Sequence, residues 1–152
     1  MGEALELCMP SGTRTRAIYV AAALVTIAVG LLVHLGGSML PPSVRDVLGD
    51  ALWAAMIAWW LGALAPTARL LARAAIAYAI CAAVEFSQLY HTPSLDAVRN
   101  TTPGQLALGS GFDTRDLVAY AAGVAAAAVL ELRTRDARRK TLDARRKTVD
   151  RL

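Results

Sequence analysis

Four long apolar segments, separated by short polar stretches, set the plan of this chain. Residues 17–33 carry no charge and, with His34 and Leu35, make an apolar run of 19 residues. Residues 51–68 are also free of charge, and a third apolar run covers 74–84. The fourth begins after Asp113 and Asp116 and is nearly all Ala, Gly and Val over 121–128. A membrane-spanning helix needs about 20 largely apolar residues. The pattern therefore predicts an all-α protein, a four-helix transmembrane bundle with helices over about 17–35, 44–65, 70–90 and 113–132. Small residues in the last of these suit close helix packing in lipid.

Breakers mark the connections. Gly36-Gly37-Ser38 and Pro41-Pro42 read as a loop, with Ser43 the expected N-cap of the second helix. Residues 66–73 form a short turn. The stretch 91–112 is the longest connection, and loops of that length are more often functional than not. A short helix is expected inside it from about Ser94 to Asn100, with Ser94 as N-cap. Residues 1–16 read as a short N-terminal tail with little fixed structure. The first apolar run is too long for the core of a secretory signal and lacks a small-residue cleavage pattern, so it is expected to be a retained helix.

Composition agrees with a membrane domain. Apolar residues make up 56% of the 152 positions, above the ~45–50% usual in soluble domains. Cys8 and Cys81 show neither metal spacing nor a disulfide framework. No metal and no cofactor is expected. The net charge of +4 comes largely from the end of the chain. There, residues 133–152 form a basic tail in which Asp-Ala-Arg-Arg-Lys-Thr occurs at 136 and again at 143. Each repeat supplies one apolar residue, too little for a coiled coil. The tail reads as a solvated basic segment, or as an anchor on an anionic inner leaflet, where each basic residue is worth about 1 kcal/mol. No aromatic residues accompany its charge, so nucleic acid is not an expected partner; membrane lipid is.

Charge also orients the bundle. Four spans put both ends of the chain on one side. Thirteen of the Lys and Arg residues lie in the N-terminal tail, the second loop and the C-terminal tail, against three (Arg45, Arg99 and Arg115) on the other side. The positive-inside rule predicts both termini in the cytoplasm. The acids then converge at the outer end. Asp46 and Asp50 open the second helix, Glu85 and Gln88 close the third, and Asp113 and Asp116 open the fourth. His34, His91, Asp96 and Arg99 lie at the same end. Asp46, Asp50 and Trp53 share a helix face, as do Asp113, Asp116 and Tyr120.

Acids at helix N-termini serve as caps and complement the macrodipole, which accounts for Asp46 and Asp113. Glu85 lacks that explanation, because it stands near a helix C-terminus in an apolar segment. It is expected to be protonated, paired with Arg99, or facing a wet pocket. Asp50, Glu85, Gln88, Arg99, Asp116 and Tyr120 are the candidate pocket, with Asp46, His91 and Asp113 as secondary candidates. No catalytic residue is assigned.

Four stretches carry a resemblance: Leu48-Gly49-Asp50-Ala51-Leu52-Trp53; Glu85-Phe86-Ser87-Gln88-Leu89-Tyr90; Arg99 with Thr101, Gly104, Leu106, Leu108, Gly109, Gly111 and Phe112; and Asp116-Leu117 with Ala119, Tyr120 and Gly123. In this order they resemble a small bacterial membrane family known as domain of unknown function 2809, over about residues 17–131. That family is distantly similar to VanZ-like proteins, which share acid-x-x-Gln, a following Arg and an Asp opening the next helix. The chain departs from the VanZ-like pattern at Tyr120, where Asn is usual. The resemblance implies a multi-pass protein of the bacterial inner membrane linked to the cell envelope, and no agreed activity.

Three functions fit these residues. The first is a pocket at the outer face for an envelope lipid or its headgroup, with Arg99 as a phosphate ligand or a partner of Glu85. The second is a membrane-embedded hydrolase or transferase on a lipid-linked substrate, with two carboxylates as acid and base. The third is a structural or interaction protein, its polar residues gluing helices together. The absence of any established catalytic spacing favours binding over enzymatic activity. A proton or ion path is disfavoured, because the inner halves of the helices carry almost no matching polar residues.

Overall fold

The computed structural model describes residues 11–36, 40–104 and 111–149. Five helices are formed there: α1 (Ser11–Leu35), α2 (Pro42–Leu64), α3 (Leu70–Ser87), α4 (Pro93–Arg99) and α5 (Thr114–Val149), with no strand among the described residues. Four of them, all but α4, are long and apolar enough to cross a membrane. Cys8, most of the expected N-terminal tail, Gly37, Ser38, and Leu106, Leu108 and Gly109 of the long connection lie outside the described residues.

Local chemistry moves several helix ends from their expected places. The first helix begins at Ser11, within the segment read as a tail. The second begins at Pro42, with Pro41 at the capping position and no side-chain cap. Pro at the first helical position has its φ already set and lacks an N–H that would go unpaired, so it starts the helix before Ser43 can cap it. The same effect makes Thr92, not Ser94, the cap of α4. Pro93 occupies the first turn and Thr92 Oγ1 accepts the Leu95 N–H at 3.3 Å. The third helix stops at Ser87, and the chain continues to Tyr90 through tighter bonds, Gln88 to Glu85, Leu89 to Phe86 and Tyr90 to Ser87. Glu85 therefore stands in the last turn of α3, nearer the helix end than expected.

In α5 the boundary expected near residue 132 does not exist. One helix of 36 residues runs through the basic repeat, about 54 Å at the usual rise. By comparison α1, α2 and α3, with 25, 23 and 18 residues, match a hydrocarbon layer of about 30 Å.

The bundle is built around α2, which packs against α1 on one side and α5 on the other, while α3 packs on α5 and α2. The interfaces are made of small side chains: Ala23, Ala54, Ala63, Ala77, Ala119 and Ala127 are all buried. Large apolar side chains point outward instead, with Leu71 83% and Val118 71% exposed. That is the reverse of a water-soluble core and suits a lipid surround. The crossing of α2 and α5 is closest at Gly123, where an added Cβ would run into the backbone of Ala51.

Candidate functional site

The two ends of the bundle carry separate polar groups. At the end where α3 closes and α5 opens, Glu85 is fully buried. Its Oε2 accepts from Gln88 Nε2 at 2.8 Å and from the Tyr120 hydroxyl at 3.1 Å. Its Oε1 accepts the backbone N–H of Asp113 at 2.7 Å. A buried carboxylate needs such donors. The three come from Gln88 just beyond α3, Asp113 just before α5 and Tyr120 within α5, so Glu85 ties the end of α3 to the start of α5.

This bond explains the acids of α5. Asp113 caps the helix, its Oδ1 accepting the Arg115 N–H at 2.8 Å. In a capping box, the acid at the third helical position reaches back to the N–H of the cap residue. Here Glu85 of another helix holds that N–H, so Asp116, at the third position, is not required there. Instead Asp116 shares a cavity wall with Asp50 of α2.

This cavity has a volume of about 580 Å³, within the ~300–1,000 Å³ range of ligand pockets. Asp46, Asp50, Asp113 and Asp116 line it, together with Gln88 and Tyr120. Its other wall comes from α1, through Thr26, Ile27, Gly30, Leu31 and His34. The cavity is therefore acidic on one side and mainly apolar on the other, where Thr26 and His34 are the polar members. Gln88 is 4% exposed, and among the described residues its Oε1 has no hydrogen-bond partner. No three His, Cys, Asp or Glu side chains among the described residues are grouped to hold a metal ion.

The candidate residues thus divide. Asp50, Gln88, Asp116 and Tyr120 line one cavity, with the secondary candidates Asp46 and Asp113. Glu85 lies beneath it, holding Gln88 and Tyr120. Arg99 is elsewhere and does not pair with Glu85. It is 6% exposed, and its guanidinium donates to the Ser87 carbonyl at 2.7 Å and the Tyr90 carbonyl at 2.9 Å, closing the C-terminus of α3. Its acid neighbour is Asp96, at 3.6 Å. Carbonyls at a helix end attract a cation, and Arg99 is used there as a cap. His91 is exposed and pairs with Asp96 at 3.2 Å.

The opposite end holds a cluster that the sequence reading did not foresee. Glu131 Oε1 accepts from the Tyr19 hydroxyl at 2.7 Å and from Arg73 and Arg135, each at 2.5 Å. The Arg73 guanidinium also lies over the Tyr19 ring, 5.1 Å from its centre, a cation–π contact. The cluster joins α1, α3 and α5. Gly62 of α2 makes room for it, since a Cβ there would meet the Tyr19 ring and Arg73. The helix halves at this end, expected from charge to be the cytoplasmic ones, therefore do carry matched polar groups. Glu131, a lone acid in the last apolar turn of the fourth predicted helix, was the signal that could have found them.

No solved structure matches the chain. A family model described as a protein of unknown function, DUF2809, matches residues 39–124. The matched segment holds α2, α3, α4, the first turns of α5 and every carboxylate of the cavity. It covers more than half of the chain, and the protein belongs to this family.

Proposed function

We propose that the protein binds the polar head of an envelope amphiphile in the acid-lined cavity. The observation that carries this reading is the cavity's two-sided wall. Carboxyl groups of α2 and of the start of α5 share about 580 Å³ with a mainly apolar stretch of α1, Ile27, Gly30 and Leu31. A lipid places a polar head beside an apolar chain, and such a wall complements both. The positive-inside rule puts the Arg-rich end of the bundle in the cytoplasm, so the cavity would open to the outer leaflet of a bacterial inner membrane. The likeness of the Glu85, Gln88, Arg99 and Asp116 pattern to VanZ-like proteins, which are linked to the cell envelope, agrees with that placement. The basic end of α5 would then lie against the anionic inner leaflet.

Binding fits these residues better than catalysis on a lipid-linked substrate. Among the described lining residues the aliphatic hydroxyl is that of Thr26, which donates to the Ala22 carbonyl at 2.8 Å. The Tyr120 hydroxyl is held by Glu85. Thr26 has no base beside it, and the Glu85 carboxyl group beside Tyr120 is already shared with Gln88 and the Asp113 N–H. Native mass spectrometry of protein extracted gently from its membrane is the test. Wild type should carry an amphiphile adduct that the Asp50→Asn/Asp116→Asn variant loses. Bare wild-type protein at the lowest activation energies would overturn the reading.

A further inference from the structure

The charge balance of the cavity selects among possible heads. Four Asp side chains line it, with His34 as the one basic side chain and no Lys or Arg among the described lining residues. Arg99, the cation that would have suited a phosphate, is committed to the end of α3. The unused hydrogen-bonding capacity is mostly that of acceptors. Gln88 gives its Nε2 to Glu85 and leaves Oε1 buried and, among the described residues, unpartnered. Tyr120 gives its O–H to Glu85. Asp50 and Asp116, on α2 and α5, bring two of these acids into one wall. Trp53 also lines the cavity, and an indole face attracts organic cations. Metal ions are a poor match, since no suitable group of three ligands exists among the described residues.

A buried acceptor without a donor costs free energy. A ligand that donates to Gln88 Oε1 while carrying positive charge to Asp50 and Asp116 would satisfy the acceptor and the acids at once. We infer that the cavity takes a protonated primary amine, presented as the head of an amphiphile, with Asp50 and Asp116 as counter-ions and Gln88 Oε1 as an added acceptor. This inference rests on the amphiphile reading and names the chemistry of the head. The ammonium group can give its three N–H bonds to three oxygen acceptors, which a quaternary ammonium cannot do.

The test uses the full-length protein in a non-ionic detergent and four probes, followed by titration calorimetry. They are a short-chain phosphatidylethanolamine, its N-acetylated counterpart, a short-chain phosphatidylglycerol, and free ethanolamine. The phosphatidylethanolamine should bind, and the N-acetylated and glycerol lipids roughly tenfold or more weaker, as loss of a charged hydrogen bond implies. The Asp50→Asn variant should remove that difference between the lipids, and thermal unfolding of the variant checks that it is folded. Equal binding of all three lipids would overturn the amine assignment and leave the amphiphile reading standing. Ethanolamine binding as tightly as the lipid would keep the amine and overturn the amphiphile. No binding by any probe would overturn both.

Discussion

Glu85 of α3 accepts the backbone N–H of Asp113, at 2.7 Å. A side chain near the end of one helix thus caps the start of another. An acid in the last turn of a helix is unfavourable for its own macrodipole. Set against the N-terminus of α5, the same acid is favourable. The cost read from the sequence is offset by a partner 28 residues away.

Removing this carboxylate should therefore loosen the helix junction. Glu85→Ala leaves the Gln88 amide, the Tyr120 hydroxyl and the Asp113 N–H without an acceptor, and should destabilise the protein by roughly 2–4 kcal/mol. Glu85→Gln keeps an acceptor and should cost about 1–2 kcal/mol. Reversible unfolding in mixed micelles measures both. Equal stabilities of the wild type and Glu85→Ala would show that the junction does not depend on this bond.

The cluster of Tyr19, Arg73, Glu131 and Arg135 predicts a different pattern. Arg73 is 3% exposed and Glu131 6%. Truncating one member of a buried pair is expected to cost about 3–5 kcal/mol, because the other charge is left buried. Arg73→Met together with Glu131→Leu should cost less than either change alone. Arg135, with its side chain 49% exposed, can return to water in the double variant. A double-mutant cycle on unfolding free energies decides the point.

Helix positions were legible in the sequence because lipid demands long apolar segments whose backbone bonds close within the helix. The convergence of Asp46, Asp50, Asp113 and Asp116 was legible for the related reason that one helix face repeats every three or four residues. The bonds of Glu85 were not, because the spacing of residues within α3 says nothing of what another helix offers. Arg99 was misread for a similar reason. A long cation beside a buried acid invites pairing, yet the carbonyls of Ser87 and Tyr90 were nearer partners. The contact between Tyr19 and Glu131 spans 112 residues, and no local pattern announces it.

Arg99 separates the cavity from the cap. Arg99→Gln should destabilise the protein by about 1–2 kcal/mol through the lost bonds to Ser87 and Tyr90. It should leave amphiphile affinity unchanged once folded protein is compared with folded protein. A selective loss of affinity, with unfolding unaltered, would return Arg99 to the binding site.

Close packing of α2 on α5 makes Gly123 sensitive to one carbon. Gly123→Ala puts a Cβ against the Ala51 backbone and should cost about 1–3 kcal/mol, the range for an overpacked contact. Gly12→Ala is the control, since nothing lies within 4 Å of a Cβ there. Ala is the better helix former, so Gly12→Ala should leave the melting temperature unchanged or slightly raised.

The central claim concerns what fills the space between the α1 wall and the carboxyl groups of Asp50 and Asp116. Density for the protein extracted with its native lipids tests it most directly. An elongated molecule is expected, its head within hydrogen-bonding distance of Asp50, Asp116 and Gln88 Oε1 and its chain along Ile27 and Leu31. A cavity holding only water, with amphiphiles confined to the outer surface of the bundle, would contradict the account.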